Sequence, residues 1–270
     1  MVNVNELMPT NDVIFKAMLG NPKETRGLIH FLNSVLRPED PIVSVQIQNP
    51  EILAEHVLEK GSRLDILATT NSNEIINVEC QAGSEPSMIE RLLYYWSRNF
   101  SKQLSPGDPY FKLKRTVSIA VLNFNLPKND NRYQIRGRIF DCESLKEMTN
   151  LLELHFLDLT ELKGIDENNP VTSWMEFFKN PYSKEAQLIC ERIPEIKEAK
   201  KMFEKVKADP KCLELIRMRE EANIEFGNAI ANAEAKKTLE IAKKMLSDGM
   251  SVELVAKYSG LSVSEIETLK

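Results

Sequence analysis

Glycine-rich phosphate loops, zinc-type cysteine pairs and membrane-length apolar runs are all missing from this chain of 270 residues, and each absence removes a class of protein. Its four cysteines, Cys80, Cys142, Cys190 and Cys212, are far apart and form no C-x-x-C pair, and there are only three histidines. A structural zinc site and a disulfide framework are therefore disfavoured, and a reducing compartment is implied. No apolar run approaches the roughly 20 residues of a membrane span. The start, M-V-N-V-N-E-L-M-P, has neither a basic region nor an apolar segment of a secretion signal. The expectation is a soluble, cytoplasmic protein with no membrane partner. With neither G-x-G-x-x-G nor a P-loop present, a Rossmann crossover series is also disfavoured.

What is present starts with ordinary globular composition, 42% apolar and 28% charged, enough for one catalytic-sized domain and an appendage. The net charge of −5 disfavours nucleic-acid binding if it is taken as a whole. Locally the sign reverses, since Glu85 to Arg115 holds six basic residues against three acidic ones. A basic surface can sit on an acidic protein.

The most informative stretch is Arg63 to Gln81, R-L-D-I-L-A-T-T-N-S-N-E-I-I-N-V-E-C-Q. Two apolar runs, Leu64 to Ala68 and Ile75 to Val78, flank a Thr-Asn-Ser-Asn break, which predicts a hairpin. A loop centred near Ser72 puts Asp65 opposite Glu79, with both side chains on one face. Two like charges side by side require something positive between them. Alternation along the second strand places Asn77, Glu79 and Gln81 on one face and Ile76, Val78 and Cys80 on the other, the second being core and the first chemistry. An exposed hairpin with two solvated acids satisfies the same pattern.

In chain order, Thr10 and Asn11 offer caps for a helix over Asp12 to Leu19, in which Asp12 and Lys16 stand four apart as an i, i+4 pair. A second helix is expected over Glu24 to Leu36, with His30 packed or at the surface, and a strand over Val43 to Gln48. His56 to Glu59 can extend the sheet, with His56 as a possible substrate contact. A helix over Pro86 to Gln103 has Met88, Leu92 and Trp96 as its core face, supported by Ile89, Leu93 and Phe100. Arg91, Tyr95, Arg98 and Lys102 form a separate stripe that either contacts a substrate or is a solvated face. Val117 to Phe124 is apolar almost throughout, so helices should cover both faces of its sheet. Strands over Tyr133 to Phe140 and Leu152 to Leu157 follow as an edge pair.

The composition then shifts to helix formers. Short helices are expected over Trp174 to Phe178, Glu185 to Glu191 and Glu195 to Lys207, then a long one over Leu213 to Ser247 weakened at Gly227. Ser251 to Lys270 has the layout of a helix-turn-helix, with Gly260 at the turn. Its second helix, S-E-I-E-T-L-K, is acidic, which favours a packing or homo-oligomerisation hairpin over DNA reading.

Three motifs together, M-P-T-N-D-V-I-F-K-A-M-L-G, L-D-I-L-A-T with I-I-N-V-E-C-Q, and I-E-R-L-L-Y-Y-W-S-R, resemble the PD-(D/E)XK nuclease family transposases, the Rpn-type recombination-promoting nucleases. The similarity is specific over about Pro9 to Leu126 and weakens to about Leu157. It implies an α/β, restriction-endonuclease-like mixed sheet flanked by helices, followed by an α-helical C-terminal region, and metal-dependent cleavage of DNA. Residues 1–165 would be the nuclease-like domain, 166–250 a helical extension and 251–270 the hairpin. Asp65 and Glu79 match the two motif acids. Gln81 stands where many nucleases of the superfamily have lysine, and Asp12 matches an acidic position on the first helix.

Phosphodiester hydrolysis accounts for these matches, because a hard Mg²⁺ or Mn²⁺ is held by a few carboxylates and activates water. Asp65 and Glu79 would be the ligands, with the backbone carbonyl of Cys80 a third and Asp12 orienting a water or serving a second ion. Gln81 can position a water or a phosphate oxygen but carries no charge. That charge would fall on Arg91, with Lys16 or Arg98 as substitutes and Tyr95 on the DNA backbone. A catalytically silent DNA-binding or assembly protein with the same fold is the competing expectation, and an acid pair holding a structural cation is a third.

Overall fold

The computed structural model describes residues 3–49, 66–126 and 130–269, which fall into two compact units, Met1–Arg217 and Met218–Lys270. In the first, α1 (Asp12–Leu19) and α2 (Arg26–Leu36) precede β1 (Val45–Ile47), β2 (Ile66–Thr70) and β3 (Ile75–Gln81). Then come α3 (Met88–Ser101), β4 (Thr116–Leu122), β5 (Gln134–Phe140), β6 (Glu147–Asp158), α4 (Val171–Lys179), α5 (Lys184–Arg192) and α6 (Pro194–Lys207). The sheet order is β1-β2-β3-β4-β6-β5, with β3, β4 and β6 parallel at the centre and antiparallel strands on both sides. This is the mixed pairing the sequence implied.

The last two strands do pair with each other at one end of the sheet, but in reversed order: β6 lies inside, parallel to β4, and β5 forms that edge. Leu154 to Asp158 is buried throughout, so that end of β6 needs neighbours on both sides.

Strand β4 has every residue from Thr116 to Leu122 buried, so its sheet must be covered on both faces, and it is. On one face Met88 and Leu92 of α3 meet Ala120, Leu122, Leu154 and Phe156, with Trp96 packed alongside. Ile89 and Leu93, expected to support this core, are instead exposed, because α3 presents a narrower apolar stripe than its sequence suggests. On the other side of the fold α1 contacts β3, and α1 and α2 pack against α4 and α6. Rings of Phe15, Phe31, Trp174, Phe177 and Phe178 meet there at centroid separations of 5.4 to 6.2 Å. His30 is a packing residue of that cluster: its Nδ1 accepts a hydrogen bond from Trp174 Nε1 at 2.9 Å.

In the second unit, α7 (Pro210–Ser247), which begins in the first, is followed two residues later by Gly249, with φ of 83°. It runs through Gly227 as one continuous helix. Then α8 (Val252–Ser259) and α9 (Val263–Glu267) close a small core of Ala242, Val255 and Ile266. Ser251 caps α8, and Ser262 and Glu265 form a capping box on α9. Gly260 makes the turn between them at φ 74°. The helix-turn-helix layout is as the sequence implied.

No helix among the described residues is long and apolar enough to cross a membrane.

Candidate active site

The hairpin register can be compared directly. A loop centred near Ser72 requires Ile66 to face Val78 and Leu67 to face Asn77, and both pairs are observed. Asp65 itself lies outside the described residues, as does the segment with His56 to Glu59. Glu79 stands two residues from the carboxyl-terminal end of β3, the end of parallel strands at which open α/β sheets place their sites.

The division into a core face and an open chemical face is corrected. Both faces of β3 are covered: Ile76 and Val78 are fully buried, but so are Asn77 and, at 4% exposure, Glu79. The pattern fits neither an exposed hairpin nor a solvated acid. A carboxylate in such a place needs a positive partner, and Arg91 supplies one by pairing its Nη2 with Glu79 Oε1. A second carboxylate, Glu85, lies 3.8 Å from the same guanidinium. Burial by itself would lower the Arg91 pKa, and the adjacent Glu79 outweighs it, so the group is held above its ordinary value.

The stripe expected on α3 therefore divides. Arg91 turns inward to Glu79, Tyr95 is buried with its ring centroid 5.5 Å from the Arg91 guanidinium carbon, and Arg98 and Lys102 remain exposed. Tyr95 thus braces the arginine. Gln81, on the same face as Glu79, is partly exposed at the end of the strand.

The first helix reaches this site from the other side. Asn11 caps α1, its side chain accepting from Ile14 N at 3.2 Å, and the carbonyl of Thr10 accepts from Cys80 Sγ at 3.4 Å. That contact ties the beginning of α1, and so Asp12, to the carboxyl-terminal end of β3. The Cys80 thiol records the result: its pKa is pushed well up by burial and then by the negative charges of Asp12 and Glu79. Lys16, four residues after Asp12, is not at the surface. It is 2% exposed, near the end of α1 where Gly20 packs against Ile66 of β2.

Glu79 on β3 and Asp12 at the start of α1 are carboxylates, the ligand type that a hard divalent cation takes. That ligand type fits Mg²⁺ or Mn²⁺, although the described residues alone contain no group of three metal-ligating side chains. A cavity of about 300 Å³ elsewhere in the first unit, lined by Ile165, Pro170, Leu188 and Arg192 among others, contains none of these residues.

Sequence reasoning missed a second polar cluster. Glu153 of β6 has a fully buried side chain that accepts from Arg115 Nη2 at 2.6 Å, Arg136 Nε at 2.6 Å and His155 Nε2 at 2.7 Å. Arg115 also reaches Glu74 at 3.1 Å. The available signal was Glu153 and His155 alternating within an apolar strand, opposite R-G-R at Arg136 to Arg138 on the next one.

A mixed sheet between helical layers, with a buried acid at the end of a central parallel strand and a second acid entering from the first helix, defines a nuclease-type α/β fold. The profile of the PD-(D/E)XK nuclease family transposases matches residues 9–233, and this chain belongs to that family. Residues 235–270 match the C-terminal HTH domain of the Rpn/YhgA-like nuclease family. The match agrees with the helix-turn-helix layout read from the sequence. Searches of curated proteins and of solved structures gave no significant match.

Proposed function

We propose that this chain is a cytoplasmic, divalent-metal-dependent DNA endonuclease of mobile-element or recombination type. The observation that carries the reading is Glu79, a carboxylate buried at the end of β3 and balanced by a cation from the helix layer. In this reading Asp65, Glu79 and the backbone carbonyl of Cys80 hold Mg²⁺ or Mn²⁺. A bound cation of this kind polarises the phosphoryl group and makes water a better nucleophile. Asp12, at the start of α1, orients the water and takes up its proton. Gln81 positions a phosphate oxygen by hydrogen bonding and cannot act as a base. Arg91 supplies the positive charge that a lysine at position 81 would have brought, and Tyr95 holds its guanidinium in place. Arg98 is exposed and contacts the DNA backbone, while buried Lys16 adds positive charge from inside α1.

The test is incubation of the purified protein with supercoiled plasmid and Mg²⁺ or Mn²⁺. Nicking or linearisation is expected, with complete loss in Asp65→Ala and Glu79→Gln. If the parent retains plasmid but cuts it with neither ion, the chain is a DNA-binding protein without catalysis. Gln81 in the place of a lysine is the feature that favours this second reading.

A further inference from the structure

The C-terminal unit carries its positive charge in an unexpected place. Its last helix, α9, has five residues and presents Val263, Ser264 and Glu267 outward. The beginning of α9 is occupied by its own side chains, since Glu265 Oε2 accepts from Ser262 N at 2.8 Å and Ser262 Oγ at 2.6 Å. A helix that offers carboxylates at both Glu265 and Glu267 repels phosphates from the surface that would enter a groove.

The lysines are on α7. Lys236, Lys237, Lys243 and Lys244 are all exposed. At 3.6 residues per turn they fall within an arc of about 120°. That arc faces away from Ala242, Met245 and Leu246, the residues α7 gives to the small core. Glu240 is the acid that shares the arc. None of the four lysines forms an ion pair or a side-chain hydrogen bond with another described residue. An internally neutralised helix face would show i, i+4 pairs here, and this one does not. The two lysine pairs are seven residues apart, about 10 Å along the helix. That is the axial span of about three nucleotides of one strand, at 3.4 Å each.

We propose that the C-terminal unit grips duplex DNA by its phosphates through this lysine ridge on α7, without base reading by α9. It is a sequence-independent clamp that raises the local concentration of DNA. The proposal shares with the nuclease reading only the choice of DNA as partner.

The full chain, kept in EDTA so that no cleavage occurs, is titrated with fluorescent duplexes of unrelated sequence at several salt concentrations. The parent is expected to bind them equally. The variant with Lys236, Lys237, Lys243 and Lys244 all changed to Gln is expected to bind at least about tenfold more weakly at 0.15 M salt. Its slope of log K against log salt should be shallower by up to about 3.6, at about 0.9 per phosphate contact. Glutamine preserves helix propensity, and an unchanged melting temperature confirms the fold. Glu267→Gln with Ser264→Ala should bind as well as the parent or better. The proposal is overturned if the lysine variant keeps the parent's affinity and slope, if the parent binds no duplex, or if binding discriminates between sequences and the α9 variant loses it. Plasmid cutting in Mg²⁺ is read separately, so a clamp without cleavage and cleavage without a clamp are distinct results.

Discussion

Arg91 of α3 and Glu79 of β3 are paired across the boundary between the helix layer and the sheet, with the guanidinium carbon 5.5 Å from the centre of the Tyr95 ring. Removing one partner of a buried pair leaves the other charge stranded, at a cost of about 3 to 5 kcal/mol when both are fully buried. The Arg91 side chain is 25% exposed, so water recovers part of this. Arg91→Gln is expected to lose about 2 kcal/mol in urea unfolding. The double variant with Glu79→Gln should be more stable than the sum of the single losses implies by about 1 kcal/mol or more. Strict additivity would show that the two groups are not coupled. In the proposed metal site Arg91 and a cation would share the Glu79 carboxylate, so Mn²⁺ should raise the melting temperature of Arg91→Gln more than that of the parent.

Glu153 is the most heavily partnered acid of the sheet, and it is structural. Glu153→Gln keeps the shape but removes the negative charge facing Arg115 and Arg136. A loss of about 3 kcal/mol or more is expected. Arg136→Met should cost under about 1 kcal/mol, since Arg136 is 46% exposed and Arg115 and His155 remain on the acid. Equal effects of the two substitutions would contradict this ranking.

Acid should weaken the fold in two stages. His155 and His30 both have pKa values lowered chiefly by burial, so the unfolded chain binds protons that the native chain refuses. The stability they contribute is complete above the unfolded value, about 6.5, and is lost as pH falls below it, by up to about 1.4 kcal/mol per pH unit for each histidine. Glu153 acts lower. Burial opposes its charge, but His155, Arg136 and Arg115 outweigh it and hold its pKa well below the ordinary carboxylate range. Its contribution is present above about pH 4.3 and is lost as pH falls further. Melting temperatures between pH 7 and pH 5 should fall in the parent and fall less steeply in His155→Gln.

In the C-terminal unit the turn between α8 and α9 depends on Gly260, whose φ of 74° is left-handed although nothing lies within 4 Å of the position a Cβ would take. The cost of Gly260→Ala is therefore backbone strain without a clash, about 1 to 2 kcal/mol. Gly227, inside exposed α7, should behave oppositely, gaining up to about 1 kcal/mol of helix stability on change to Ala. Helicity and thermal unfolding of the full chain distinguish the two signs.

Much of the frame was legible in the sequence because it rests on local rules. Asn11 capped the first helix, the apolar run of β4 announced a strand buried on both faces, and the break at Thr70 to Asn73 set the register in which Ile66 faces Val78. The turn at Gly260 within Ser251 to Lys270 marked the two short helices of the tail.

What only the tertiary structure decided is which layer each polar side chain meets. Alternation placed Glu79 and Asn77 on one face of β3 but could not reveal that α3 covers that face and buries the carboxylate against Arg91. Lys16 and Tyr95 changed from surface to interior for the same reason, and Glu153 acquired partners from strands far apart in the chain. Periodicity along a strand or helix is a property of neighbouring residues. Burial and counter-charge are properties of whatever packs above them, and the chain reaches that arrangement only on folding.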